Sequence, residues 1–248
     1  MKISTDGIVI WELKTGEADR VVTILTDNGV LTAYARGSLR PNNKLTSPTA
    51  MLGFSNFELR SGKNMYNIEE ALSIRRFLSL ASDAKRYALA VYFCELLKLL
   101  APIEDNAGDF MSLILNSLFL LNEGKKEILL IKTVFELRVM TLAGYMPDLL
   151  SCADCGAHDA NPGSFDISNG IWYCEKCAVN WGEQKNISLP VLSAMRHIIY
   201  SDSDKSFSFS LSGKSLNNLS NITTRFVICH IEHRPITLGF FLDIMDTI

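Results

Sequence analysis

The chain has 248 residues, 48% of them hydrophobic, enough for a sizeable core and for two or three domains. Its 24 Lys and Arg stand against 27 Asp and Glu, a formal net charge of −3, so the bulk charge excludes a surface that is cationic all over and leaves only a local patch for any nucleic acid. No apolar signal core opens the chain, and the longest apolar run, residues 87–94, is cut off by Glu95 and Lys98, which excludes a bilayer span and, with six cysteines, points to a reducing cytoplasm.

Residues 1 to about 79 read as strands. Residues 7–11 are apolar and β-branched, 20–26 follow, and Asp27-Asn28-Gly29 turns into 30–36 as a hairpin. Residues 37–48, rich in Gly, Ser, Pro and Asn without an apolar pattern, form a loop. Residues 54–59 alternate as a half-buried strand does, Ser61 to Asn64 turn, and 65–74 return as the last strand. Five short strands at this spacing predict an antiparallel barrel, with the OB-fold as the size match. Beyond Ser82-Asp83, a helix N-cap, the pattern turns helical. Helices are expected over 84–100, 109–122 and 126–143, the last stopped by Gly144 and Pro147. Leu189-Pro190 opens another to about residue 200, a serine-rich stretch runs to 212, and helices close the chain over 216–233 and 238–245. The expected class is α+β: a barrel domain over 1–80, then a helical domain over 81–248 into which a cysteine loop, 148–186, is inserted.

That loop carries Cys152-x-x-Cys155 and Cys174-x-x-Cys177, eighteen residues apart. Each pair puts two thiolates on a tight knuckle, and two knuckles close a tetrahedral four-thiolate site, so the spacing points to one structural Zn2+ per chain. Gly156 suits the first knuckle's turn; the second lacks a glycine. Four unrelated core cysteines or two redox pairs are the competing readings. The loop looks too poor in apolar residues to fold without the metal. Cys94 and Cys229 sit in apolar surroundings and read as buried small hydrophobes.

No phosphate-binding glycine loop, nucleophile elbow or zinc-protease motif is present, so an enzyme is not expected. His230 and His233 are three apart on an expected helix and read as part of its face; His158 is near Cys155, but four thiolates already fill a shell. Glu69-Glu70 makes a poor acid–base couple, because adjacent strand residues point to opposite faces.

Between residues 36 and 63, Arg36, Arg40, Lys44, Arg60 and Lys63 face only Glu58, a local excess of four positive charges in a negative chain. Loops and one sheet face are where an OB-fold holds single-stranded nucleic acid, with cations on phosphates and aromatics such as Tyr34, Phe54 or Tyr66 under bases. The competing reading is an ordinary solvated loop, with the aromatics in the core.

The order of features resembles the RecO family of bacterial DNA-repair proteins. The resemblance is carried by Gly7-Ile8-Val9-Ile10, Gly16-Glu17-Ala18-Asp19-Arg20, Leu25-Thr26-Asp27-Asn28-Gly29, and Ala35-Arg36-Gly37-Ser38-Leu39-Arg40-Pro41. The helical stretch from Arg138 to Pro147 and a Cys-x-x-Cys-Gly followed by a second Cys-x-x-Cys, as in zinc-type members, add to it. It implies a recombination mediator that binds single- and double-stranded DNA, anneals strands, and works with RecR and the single-strand-binding protein to help load RecA. It also implies that Arg36, Arg40 and Lys44 form the basic loop after the third strand. Arg20 matches a basic residue whose own role reads as packing or an ion pair to Glu17 or Asp19. A transcription-associated or RNA-binding barrel protein is the alternative, and a barrel that binds protein only is a third reading.

Overall fold

The computed structural model describes residues 2–232 and 234–246. Its α+β chain begins with five strands: β1 (Lys2–Thr15), β2 (Asp19–Thr26), β3 (Gly29–Ala35), β4 (Phe54–Ser61) and β5 (Tyr66–Arg75). They close into a barrel in the order β1-β2-β3-β5-β4. The β1–β2, β2–β3, β1–β4 and β4–β5 seams are antiparallel. The closing seam is parallel and short, pairing Ala33 with Tyr66 and Tyr34 with Asn67. Period-two alternation sends Val22 and Ile24 of β2, Ala33 and Ala35 of β3, and Phe57 and Leu59 of β4 into one core with Val9, and Ile68 and Ala71 of β5 join it from either side of a bulge.

Contacts divide the chain into two compact units, Met1–Gly124 with Pro235–Ile248, and Lys125–Arg234. Three helices lie in the same compact unit as the barrel: α1 (Ala84–Leu100), α2 (Gly108–Glu123) and α7 (Ile236–Asp246). Asp83 caps α1 by accepting from Arg86 N (3.1 Å). Val30 N donates to Pro102 O (2.9 Å) and Ala107 N to Asp27 O (2.8 Å), tying the β2–β3 turn to the α1–α2 connection. The Glu95 carboxylate on α1 accepts from Ile236 N and Thr237 N (3.1 and 2.9 Å), two of the donors that a helix start leaves open.

The second unit is built on α3 (Ile128–Leu142), α5 (Leu189–Tyr200) and α6 (Gly213–His230). The 148–186 segment departs from expectation, for it is not a loop poor in apolar contacts. It forms a hairpin, β6 (Pro162–Asp166) with β7 (Ile171–Cys174), and a short helix, α4 (Glu175–Asn180). Trp172 is fully buried, and Phe165, also buried, lies 6.2 Å from Phe226 of α6. Lys132 and Glu136 on α3 are both completely buried and pair at 2.8 Å; Lys132 Nζ also reaches Ser220 and Thr224 of α6, and Thr223 donates to Glu136 (2.6 Å). Among the described residues, no helix is long and apolar enough to cross a membrane.

Candidate metal centre and nucleic-acid interface

The Sγ atoms of Cys152, Cys155, Cys174 and Cys177 all lie within 4.8 Å of one another, and those of Cys155 and Cys174 are 3.8 Å apart. Four thiolates around an ion with metal–sulfur bonds of ~2.3 Å stand about 3.8 Å apart, so the donor set fits a tetrahedral metal site. The first pair sits on a turn in which Gly156 N donates to Cys152 O (2.9 Å), with Gly156 at φ 72°, a left-handed conformation that glycine takes without strain. The second pair needs no such turn: Cys174 ends β7 and Cys177 lies in the first turn of α4. Gly163 lets β6 approach that corner, since a Cβ there would lie 2.8 Å from Ala178 Cβ and from Glu175 Cα.

Burial pushes the Cys152 thiol up, but the backbone N–H groups of Cys155, Cys174 and Asp154 outweigh it and bring the thiol down to about 6. The Cys174 N–H bond to its sulfur measures 3.2 Å. Such bonds favour the thiolate that a metal requires. The Cys177 thiol is pushed up, chiefly by its hydrogen bond to Asp154 and then by Cys174. A residue that the sequence pattern does not single out holds the first knuckle in place. Arg196 of α5 donates to the carbonyls of Leu149 (2.7 Å), Leu150 (3.1 Å) and His158 (3.3 Å), and its guanidinium stacks 5.3 Å from the Trp172 ring. Its place as the one Arg in a helix without Lys, Asp or Glu was the available signal.

His158 is exposed and its Nδ1 contacts Leu150 O, outside the sulfur cluster. His230 is half-buried, its Nδ1 on Phe226 O (2.9 Å) and its ring 4.2 Å from that of Phe226; His233 lies outside the described residues. Cys94 is buried, and burial raises its thiol strongly. Cys229 corrects the expectation of burial. It is exposed, in phase at four-residue spacing with Asn217, Asn221 and Arg225 on the outward stripe of α6.

On the barrel, Arg36, Arg40, Lys44, Arg60 and Lys63 are all exposed. Pairing across β3, β5, β4 and β1 lines up Tyr34, Asn67, Arg60 and Lys2 as one row. Arg36, just past β3, joins Tyr34 and Arg60 around a concavity of about 550 Å³ that Asp19, Asn67 and Glu69 also line. Lys44 lines a second, of about 470 Å³, with Glu69, Glu70 and Leu72. Arg40 lies near Asp19, folded against Gly37. Lys63 lines neither concavity. Tyr34 and Tyr66 are half-buried, as is Phe54.

Two residues that open β2, just after the turn at residues 16–18, organise this surface. The Asp19 carboxylate accepts from the Tyr34 hydroxyl and from Gly37 N–H, and these bonds, with Arg36 and Arg40 near, hold it below the usual carboxylate range. Arg20 is buried and serves the loop from beneath, donating to Thr46 O (2.9 Å) and Thr49 Oγ1 (3.3 Å). Its ion pair is with Glu12 (3.5 Å), not with Glu17 or Asp19, because Arg20 is in phase with the inward-facing Val22 and Ile24. A bulge places Glu69 between the pairs Glu58–Glu70 and Leu59–Ile68, which breaks the alternation expected of Glu69-Glu70. Both glutamates are exposed, and Glu69 pairs with Lys2 (2.5 Å) and Arg60 (3.0 Å).

Comparison with known families matches residues 1–77 to the Recombination protein O N-terminal model and residues 81–238 to the Recombination protein O C-terminal model. The DNA repair protein RecO of Acetivibrio thermocellus is 32% identical, over 96% of this chain and 95% of its own. Those of Symbiobacterium thermophilum and Caldicellulosiruptor bescii are each 27% identical, the first over 93% of both chains, the second over 96% of this chain and 97% of its own.

Proposed function

Because the chain belongs to the RecO family of DNA repair proteins, we propose that it is a non-enzymatic recombination mediator. It binds single- and double-stranded DNA, anneals complementary strands, and acts in the cytoplasm with RecR and the single-strand-binding protein to help load RecA. Residues 1–80 are the DNA-binding domain in this reading, and 81–248, with the inserted 148–186 segment, faces the partners. The observation that carries the reading is the convergence of Arg36 and Arg60 with Tyr34 on one barrel face, beside a loop that exposes Arg40 and Lys44. Lys63 follows Arg60 at the start of the β4–β5 turn and extends the same set.

The mechanism is physical. Cations on phosphates release counterions, and Tyr34 offers a ring to a base. Two strands neutralised on one molecule repel less and meet at a raised effective concentration, and base pairing supplies the sequence specificity. Cys152, Cys155, Cys174 and Cys177 are the ligands of one structural zinc. That ion supplies a closed cross-link between the two knuckles and no reaction chemistry.

The test is the variant Arg36→Ala/Arg40→Ala/Lys44→Ala, titrated with labelled single-stranded DNA across a salt series. Weaker binding is expected, with a log–log salt slope flatter by about 0.7 for each phosphate no longer neutralised, and annealing should fall in step. A folded variant that binds and anneals like the parent would remove the loop from the site. An RNA strand of the same sequence bound more tightly than DNA would favour the RNA-binding alternative.

A further inference from the structure

Glu69 is the one residue that lines both concavities of the barrel face, the first with Arg36 and Arg60 and the second with Lys44. The bulge puts it there: an extra residue on β5 is left without a cross-strand partner and its side chain is re-aimed. Its carboxylate takes Lys2 at 2.5 Å and Arg60 at 3.0 Å, while those cations remain mostly open to solvent (71% and 59%). Asp19, the other acid of the first concavity, is committed to the fold through Tyr34 and Gly37 N–H. Among the described residues, the Glu69 carboxylate bonds to side chains, those of Lys2 and Arg60, so it can let go without loss of a backbone bond. Lys2 foremost, and Arg60 with it, hold its carboxyl below the usual range, so it is charged at neutral pH.

We propose that Glu69 is a built-in competitor for phosphate. Its carboxylate occupies Lys2 and Arg60, the second of which lines the first concavity, and a nucleic-acid backbone binds this face by displacing it. The proposal rests on the barrel reading above and deepens it. An internal anion of this kind weakens every sequence alike and leaves specificity to base pairing. It also keeps the grip loose enough for strands to be handed on.

The experiment measures binding of labelled single-stranded DNA at low and moderate salt by parent, Glu69→Gln and Glu70→Gln. Glu70 is the charge-matched control, next on the strand and with no ion pair among the described residues. Loss of exposed ion pairs costs the fold little, and thermal melts check that. Glu69→Gln should bind about two- to fivefold tighter at low salt, the worth of one exposed ion pair, and the gain should shrink as salt rises. Glu70→Gln should give less than half of it. In a Lys2→Ala/Arg60→Ala background the Glu69→Gln gain should vanish. Parent-like binding by Glu69→Gln, an equal gain from Glu70→Gln, or a gain that survives without Lys2 and Arg60 would each overturn the proposal. If these fail while the Arg36/Arg40/Lys44 variant is weakened, Glu69 alone is misread. If that variant binds like the parent, the barrel face itself is misplaced and both readings fall.

Discussion

At the scale of the residue, phase along a strand separates the arginines that hold the barrel from those that decorate it. Arg20 follows the inward set and is spent beneath the loop, whereas Arg36 and Arg60 follow the outward set. Asp19, one residue earlier, fixes where the basic loop leaves β3, through Gly37 N–H. Its folded pKa is lower than its unfolded one, so it contributes stability at neutral pH that is lost as pH falls from about 4 through the lowered folded value. Asp19→Asn should melt below the parent at pH 7, and the gap should close toward pH 2. Thermal melts at several pH values read this directly; a gap that stays constant would show that Asp19's charge has no part. The Gly-Glu-Ala-Asp-Arg run marked this turn, but nothing local says that Asp19 reaches eighteen residues ahead, since that bond exists only once β2 and β3 pair.

At the scale of the element, α3 and α6 are joined through charges that are completely buried. Lys132 and Glu136 are four apart on α3, and Ser220, Thr223 and Thr224 of α6 complete their hydrogen bonds. Removing one partner strands the other, which typically costs about 3–5 kcal/mol, whereas replacing both with apolar side chains is close to neutral. Lys132→Met should therefore lower the urea midpoint strongly, and Lys132→Met/Glu136→Leu should recover most of it. A single variant as stable as the parent would mean that water reaches the pair. The helical period over 126–143 was legible, but the burial of Lys132 and Glu136 was not, because burial of a charge is decided by the partner helix. The hairpin in 148–186 was missed for a related reason. Phe165 stands between polar residues and Trp172 lies in a run of only four, Ile171 to Cys174, and only β6–β7 pairing makes them cross-strand neighbours. The cysteine pairs were legible because their geometry is local to each knuckle.

At the scale of the whole molecule, two compact units imply unfolding in more than one step. The four sulfurs tie β7, α4 and the 152–156 turn together within the second unit. Metal removal by a chelator, or Cys174→Ser, should unprotect the amides of 148–186 in hydrogen exchange and lower the melting transition of that unit. The barrel amides of β1–β5 should keep their protection. Elemental analysis of carefully prepared protein should find about one zinc per chain. Metal-free protein with the parent's exchange pattern would make the cluster four core cysteines and nothing more. The barrel's strands were readable because alternation and turns are short-range; the division of the helices was not, since it is settled by residues far apart in the chain, such as Val30 with Pro102 and Glu95 with Ile236.

Glu95 of α1 receives the first N–H groups of α7, and α7 belongs to the unit that begins with β1. The chain therefore leaves its first unit at Gly124, builds all of the second, and only then returns. On a ribosome that delivers residues in order, the barrel's unit starts first and finishes last. Until α7 emerges, the apolar face of α1 that it covers has no permanent occupant, and the unit that holds β1 waits on residues made only after the whole of the second.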